Sequence, residues 1–183
     1  MKIAVYLGSN AGTNPHFLAA TKQLGDYLGE HHTLVYGGAN LGLMNELASH
    51  ALDKGGSVIG VMPEFMVAQN RHRLDLEELI ITKDMASRKK KMMDLSDAYI
   101  ALPGGPGTLE EIVEVISGSR LGLLKNKPCI LVNIDGYYDL FKQLLEKMIQ
   151  NGFAKREELR YVYFPTSIQG VIEILEKEDI CQQ

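Results

Sequence analysis

The sequence predicts a doubly wound α/β fold, in which helices cover both faces of a parallel sheet. Short β-branched apolar runs alternate along the chain with longer amphipathic segments, which is the pattern of strands joined by crossover helices. The chain has 183 residues, about the size of one domain. We therefore expect one domain spanning residues 1–183, with a single core.

Six short runs are predicted as strands because they are apolar and rich in β-branched residues. They are Lys2–Leu7, Thr33–Tyr36, Ser57–Val61, Leu79–Thr82, Ala98–Leu102 and Pro128–Val132. The segments between and after them are predicted as helices. These are Pro15–Gly29, Leu41–Lys54, Met85–Leu95, Thr108–Leu124, Tyr138–Asn151 and Ser167–Lys177.

Several of these helices have recognisable ends. Asn14 before Pro15 is typical of an N-cap followed by a first-turn proline, and Gly29, Gly55 and Gly152 stand where helices are expected to end. The longest irregular stretch runs from residue 62 to residue 75. Its low glycine content favours an ordered segment that forms either a pocket wall or a subunit contact.

The composition argues against several classes of function. A formal net charge of −4 provides no basic field for a polyanion, so we expect no nucleic-acid partner. No apolar run approaches the length of a membrane span and the amino terminus does not resemble a signal peptide, so we expect a cytoplasmic protein without a membrane partner. Cys129 and Cys181 lack a CxxC spacing and the five histidines lack HxxxH or HxH, so neither a disulfide nor a metal site is predicted.

Three predicted strand-to-helix connections carry glycine. They are residues 8–12 after the first strand, 37–42 after the second and 104–108 after the fifth. Such connections meet at the carboxyl edge of a parallel sheet, where glycine exposes backbone N–H groups and a helix start supplies unpaired donors. One loop alone is better explained as a tight strand-to-helix turn, but three together favour a phosphate compound. GxGxxG and GxxxxGK[ST] motifs are absent, which argues against a dinucleotide oxidoreductase and a P-loop nucleotidase.

Two charged segments border these loops. Thr108 and Glu111 have the spacing of a capping box, and Glu110 points about 100° away from Glu111 on a helix, so only one of the two carboxylates is expected to face the loop. The run from residue 84 to residue 92 fits a solvated helix face whose Met85, Met92 and Leu95 cover the core. Composition alone does not single out an arginine from this basic run, although a guanidinium suits a phosphate pocket.

Together these segments resemble the LONELY GUY family of nucleoside-monophosphate phosphoribohydrolases, whose members often carry the label lysine decarboxylase. The resemblance covers most of the chain. It includes residues 8–10, 34–38, 42–44 and 55–63, Met85 with Arg88, Lys89 and Met92, and a PGGxGTxxE stretch from Pro103 to Glu111.

The resemblance implies a Rossmann-like fold and hydrolysis of the N-glycosidic bond of AMP or N6-modified AMP (a cytokinin riboside 5′-monophosphate) to a free base and ribose 5-phosphate. It implies Arg88 and Glu111 as the catalytic pair, without a cofactor or metal, in a homodimer. The residues implied in binding substrate or phosphate are Ser9, Gly37, Gly38, Met85, Lys89, Gly104, Gly105, Gly107 and Thr108. Ile112, Val115, Ile116 and Leu121 are expected to serve both the dimer contact and the core.

The chain departs from the family pattern at three places. Ala86 replaces a histidine, Asn45 replaces a glycine, and residues 117–120 (Ser-Gly-Ser-Arg) replace Thr-Trp-Ala-Gln. Loss of the tryptophan changes a pocket or dimer surface and with it the substrate preference. The alternative function is a non-catalytic nucleotide or molybdenum-cofactor carrier, because related proteins with similar PGGxGT loops bind such ligands without cleaving them.

Overall fold

A computed structural model describes residues 1–124 and 127–182, with side chains described as far as residue 178. The strands are β1 (Lys2–Tyr6), β2 (Thr33–Tyr36), β3 (Val58–Pro63), β4 (Glu78–Thr82), β5 (Ala98–Ala101), β6 (Cys129–Leu131) and β7 (Val162–Tyr163). The α-helices are α1 (Pro15–His31), α2 (Gly42–Asp53), α3 (Glu64–Val67), α4 (Met85–Leu95), α5 (Pro106–Arg120), α6 (Asp139–Gln150) and α7 (Ile168–Gln182).

The strands form one parallel sheet in the order β4-β3-β2-β1-β5-β6-β7. The first four strands extend the sheet in one direction, and the chain then returns to place β5 on the other side of β1. The order therefore reverses between β1 and β5, which is the place where open parallel sheets bind their ligands. This confirms the predicted doubly wound α/β fold.

The prediction of a single core is wrong, because a sheet covered on both faces has a separate core on each face. Side chains of the central strand alternate between these two hydrophobic cores. Ile3 and Val5 join the core beneath α1, α2 and α7, whereas Ala4 and Tyr6 join the core beneath α4 and α5. All four are almost completely buried, as the period of two predicts for a strand covered on both faces.

All twelve predicted elements are present, with ends shifted by a few residues. Among the strands and α-helices of the described residues, two short ones were not predicted, and neither were the 3-10 helices Ile134–Gly136 and Arg156–Leu159. The edge strand β7 has only two half-buried residues, too few for a recognisable pattern, and α3 forms a single turn inside the stretch from residue 62 to residue 75. No helix within the described residues is long and apolar enough to cross a membrane.

The predicted helix ends had mixed outcomes. The Asn14 side chain accepts a hydrogen bond from the His16 N–H, and Gly55 and Gly152 follow α2 and α6 with φ of +76° and +77°, as predicted. The predicted end at Gly29 is wrong, because α1 continues to His31. Gly29 instead lets α1 pack closely on α2, since a Cβ there would overlap the backbone of Ala51.

The four apolar residues that were expected in both the core and a dimer contact differ in burial. Ile112, Val115 and Ile116 are buried in the core of the protomer, whereas Leu121 just beyond α5 is 72% exposed. The first three therefore stabilise the fold of the protomer itself.

Candidate active site

A cavity of about 570 Å³ opens at the carboxyl edge of the sheet, beside the reversal between β1 and β5. All three glycine connections contribute to its lining. The first connection provides residues 8–13, the second provides Gly37 and Ala39, and the third provides residues 103–108. The predicted convergence of these loops is therefore what the fold produces.

Arg88 and Glu111 form a buried ion pair in this cavity. Arg88 is 5% exposed and Glu111 is 6% exposed. The Nη1 of Arg88 donates to Oε1 of Glu111 at 2.5 Å, and its Nε donates to the Val61 carbonyl at 3.0 Å. An ion pair taken out of water contributes little net stability, so its presence in a cavity indicates a functional site.

The start of α4 directs Arg88 inward. Asp84 is the N-cap, and its carboxylate accepts hydrogen bonds from the N–H and the hydroxyl of Ser87 at 2.8 and 2.7 Å. Arg88 follows in the first turn, so its side chain is held by a fixed helix end. The interpretation of this helix as a plain solvated face is therefore incomplete.

Gly37 provides the space that the guanidinium occupies. A Cβ at this position would overlap Nη2 of Arg88 and would lie 3.3 Å from the Met44 sulfur. The absence of a side chain at residue 37 therefore allows Arg88 to approach Glu111 across the end of β2.

Burial raises the pKa of Glu111 above the ordinary range of a glutamate, although the adjacent Arg88 charge acts in the opposite direction. Burial is also the main cause that raises the pKa of Tyr6, and the Glu111 charge adds to it. A carboxyl group whose pKa is shifted toward neutrality is suited to exchange a proton with water or a substrate.

The start of α5 borders the cavity and is open toward it. Gly105 is the N-cap, Pro106 is the first helical residue, and no side chain caps the first turn. A Cβ on Gly105 or Gly107 would have no atom within 4 Å, so the space in front of these residues is free. Unpaired N–H groups and the positive end of the helix dipole therefore face the cavity.

The predicted capping box at Thr108 and Glu111 is wrong. Thr108 lies inside the first turn and is buried. Its hydroxyl is so close to Gly104 that a Cβ on that residue would overlap it. The Glu111 carboxylate binds Arg88 across the cavity instead of turning back to the helix start. Both carboxylates border the cavity, against the expectation that only one would: Glu111 is buried inside it, whereas Glu110 is exposed at its rim and binds Lys89.

Most of the other predicted substrate-binding residues line the cavity, but Gly38 and Lys89 do not. Ser9 is exposed at its rim, and Met85 faces it rather than the core, which Met92 fills. Gly38 packs against Leu79 and the neighbouring strand. The Nζ of Lys89 is 2.6 Å from Glu110 and 2.9 Å from Glu114.

The cavity also contains residues that the motifs did not indicate. Phe17 and Tyr137 form an edge-to-face aromatic pair with centroids 5.4 Å apart, and the Tyr137 hydroxyl donates to the Gly104 carbonyl at 2.5 Å. Met44 and Met66 also line the cavity, and the Met44 sulfur is close to Gly37. Tyr137 could have been found from its place in the chain. It lies in the turn after the sixth predicted strand, and this turn reaches the same edge of the sheet as the glycine loops.

No group of three histidine, cysteine, aspartate or glutamate residues in the described part of the chain is arranged to hold a metal ion. The Cys129 thiol is buried and free. The side chain of Cys181 lies outside the described residues.

Solved structures share this fold over nearly the whole chain. The molybdenum cofactor binding protein of Rippkaea orientalis is similar with a TM-score of 0.72 and 25% identity, covering 96% of this chain and 95% of that protein. The molybdenum cofactor carrier protein of Chlamydomonas reinhardtii has a TM-score of 0.73 at 22% identity, covering 100% and 98%. The second likeness concerns the fold alone.

Sequence comparisons identify the family. The family model described as "Possible lysine decarboxylase" matches residues 44–175. A cytokinin riboside 5′-monophosphate phosphoribohydrolase of Arabidopsis thaliana is 38% identical over 178 residues, which are 96% of this chain and 81% of that protein. The enzyme of the same name from Rhodococcoides fascians is 40% identical over 172 residues, 93% of this chain and 86% of its own length. The chain therefore belongs to the LONELY GUY family of cytokinin riboside 5′-monophosphate phosphoribohydrolases.

Proposed function

We propose that this protein hydrolyses the N-glycosidic bond of AMP or of an N6-modified AMP, releasing the free base and ribose 5-phosphate. The observation that carries the proposal is the buried Arg88–Glu111 pair inside a cavity that ends at the open start of α5. The relatives at 38% and 40% identity bear the name of this activity.

The 5′-phosphate is assigned to the start of α5. Backbone N–H groups of the first turn, the open space before Gly105 and Gly107, and the Thr108 hydroxyl together form a cradle for a dianion. Gly104 keeps the loop close to Thr108, and Ser9 borders the opposite rim. This assignment places the ribose beside Glu111, one helical turn further along.

The chemistry follows from that placement. The bond between the anomeric carbon and the base nitrogen breaks, and the sugar acquires oxocarbenium character. We assign to Glu111 the orientation and deprotonation of the attacking water, because burial raises the pKa of this carboxyl. Arg88 holds Glu111 in place and assists the departing base. The base leaves with the bond electrons and takes up the proton that Glu111 removed from the water, so the carboxylate is regenerated.

The base is assigned to the side of the cavity beyond Gly37. Met44, Met66 and Met85 line the cavity, and Met44 lies near both Gly37 and the Arg88 guanidinium. Methionine side chains are flexible and adapt to irregular apolar groups. Such a wall suits a purine whose N6 position bears hydrogen or an apolar substituent.

Gly38 and Lys89 are proposed to support the site rather than to touch the substrate. Gly38 packs behind the cavity wall, and Lys89 holds Glu110 at the cavity rim. Neither proposed role requires a cofactor.

The deciding experiment detects adenine and ribose 5-phosphate by chromatography after incubation with AMP. We expect product from the unaltered protein and a loss of about 10³-fold in kcat for Glu111→Gln, the range of a general base. The matched control is Glu114→Gln, which changes a carboxylate one turn further along the same helix and outside the cavity, and which should leave kcat close to that of the unaltered protein. Tight binding of AMP without release of any base would refute the hydrolase and favour a carrier.

The carrier remains the second candidate because of one observation, the likeness in fold to the molybdenum cofactor binding protein of Rippkaea orientalis. The two functions predict different purified material. A carrier should retain an ultraviolet-absorbing cofactor through gel filtration, whereas a hydrolase should elute without one and act on added AMP.

The homodimer is also a proposal. Leu109 and Val113 lie one turn apart on α5 and are 40% and 41% exposed, so they offer an apolar strip beside the site. We assign the contact to this strip. Light scattering should report twice the mass of 20.3 kDa for the unaltered protein and the single mass for Val113→Glu; a monomeric unaltered protein would contradict the assignment.

A further inference from the structure

The segment of residues 64–75 is tied to the loop that follows β2. Ala39 and His72 form an isolated antiparallel bridge, the Asn40 N–H donates to the Arg71 carbonyl at 3.0 Å, and the Arg73 N–H donates to the Gly38 carbonyl at 3.0 Å. These backbone contacts hold the end of the segment against the second glycine connection.

The side chain of Arg73 continues this attachment to α2. Its Nη1 donates to the carbonyl and the side-chain oxygen of Asn45, both at 3.1 Å, and to the Ser49 hydroxyl at 2.6 Å. Its Nε and Nη2 donate to the two carboxylate oxygens of Asp75 at 2.8 and 2.6 Å. We call these four residues, Arg73, Asn45, Ser49 and Asp75, the Arg73 hub.

The arginine end of the hub is largely buried, although the Asp75 side chain is 55% exposed. The Arg73 side chain is only 12% exposed, and its planar fork engages three partner residues at once. The hydrogen bond from Arg73 is the main reason why the pKa of Asp75 lies below its usual range, so the carboxylate stays charged.

The hub joins two elements that each provide a methionine to the cavity. Met44 precedes Asn45 on α2, and Met66 lies in the segment of residues 64–75, where its carbonyl accepts from the Arg71 N–H at 3.3 Å. Arg73 itself does not line the cavity. Its effect on a ligand must therefore pass through the spacing of these two methionines.

We infer that Arg73 is a positioning residue that fixes the Met44–Met66 wall and so sets the affinity for the base end of the nucleotide. This inference rests on the proposed function for the identity of the ligand. The hub touches neither Arg88 nor Glu111, so it acts on binding of the substrate and of the transition state alike. Uniform binding of this kind changes KM and leaves kcat unaltered.

The test compares Arg73→Met with Arg156→Met. Arg156 makes an equally bidentate contact to Glu146, at 3.0 and 2.6 Å, away from the cavity. With AMP as substrate, Arg73→Met should raise KM about tenfold, the value of a lost hydrogen bond to a charged group, while kcat stays within about twofold. Arg156→Met should change neither constant. A KM equal to that of the unaltered protein, or a fall in kcat as large as the rise in KM, overturns the inference.

Two further measurements keep the test decisive. Ser49→Ala removes one hydrogen-bond acceptor of Arg73 without leaving a buried charge unpaired, so it replaces Arg73→Met in the test if that variant does not fold. We expect Ser49→Ala to raise KM as well. An unchanged KM overturns the inference. Calorimetric titration of AMP into Glu111→Gln, with and without Arg73→Met, measures affinity in the absence of turnover. If Arg73→Met weakens the affinity about tenfold, the inference is supported. If the unaltered protein releases no base, only the proposed hydrolysis is refuted.

Discussion

Replacing Gly37 by alanine should inactivate the protein without altering either charged residue of the site. Gly37 lies outside the left-handed region of φ, so its backbone accepts an alanine. The new methyl group, however, would overlap Nη2 of Arg88. The guanidinium must then move away from Glu111 or the end of β2 must shift.

The size of the effect follows from the overlap. Relief of the contact to an ordinary separation requires a displacement of about 1 Å, and a misplacement of this size in a catalytic group reduces the rate about 100-fold. The loss should appear in kcat, since the proposed role of the Arg88–Glu111 pair is in the transition state. Overpacking should lower the free energy of unfolding by about 1–3 kcal/mol, which leaves the protein folded at room temperature.

The assay is steady-state release of adenine from AMP, with chemical denaturation of the same preparations. The control is Gly118→Ala, a second glycine-to-alanine change whose Cβ would contact only side-chain atoms of Leu124 at 3.2 and 3.4 Å. It lies in α5 outside the cavity and should keep full activity. A folded Gly37→Ala protein with undiminished kcat would refute the argument that Gly37 serves to place the guanidinium.

Three further outcomes test other parts of the site. Gly107→Ala should fold normally but raise KM for AMP about tenfold, because its methyl group enters the space assigned to phosphate, and an unchanged KM would move the phosphate elsewhere. Tyr137→Phe removes the hydrogen bond to the Gly104 carbonyl and should lower kcat/KM about fivefold, whereas a change confined to stability would exclude a role in placing the loop. Because burial raises the pKa of Glu111, kcat/KM should be full above that raised pKa and fall as the pH is lowered through it, at a pH above the ordinary glutamate value of about 4.3. The phosphate of AMP titrates as well, so AMP binding to Glu111→Gln is measured over the same pH range as a control. If this binding weakens at low pH in the same way as kcat/KM falls, the fall is due to the substrate phosphate and not to Glu111.

Most of the fold could be predicted from the sequence because every strand and helix except the short β7 and α3 has a recognisable local pattern. The alternation of short β-branched runs with amphipathic segments requires no information about distant residues. Gly29 shows where such reasoning ends: a glycine near a helix terminus predicts a stop, but here it accommodates the backbone of Ala51 in another helix. Close approach between helices distant in sequence leaves no local pattern.

The candidate site was less accessible from physical reasoning alone. Arg88 stands in a run of four basic residues, and nothing in its neighbours distinguishes the one that is buried. Glu111 was equally consistent with a capping box until the position of α5 placed it opposite Arg88. Asn45, a departure from the family pattern, accepts a hydrogen bond from Arg73 through a side-chain oxygen that glycine cannot supply.

The position of β1 has a consequence for the kinetics of folding. β1 pairs with β5, and the Lys2 N–H reaches the Asp97 carboxylate at 2.8 Å across 95 residues of chain. Closing so long a loop is entropically unfavourable and slow compared with the formation of local helices. The cavity exists only once this closure is complete, because its first and third glycine connections follow these two strands. Recovery of AMP binding during refolding should therefore lag behind the return of helical circular dichroism and report the moment at which β1 and β5 join.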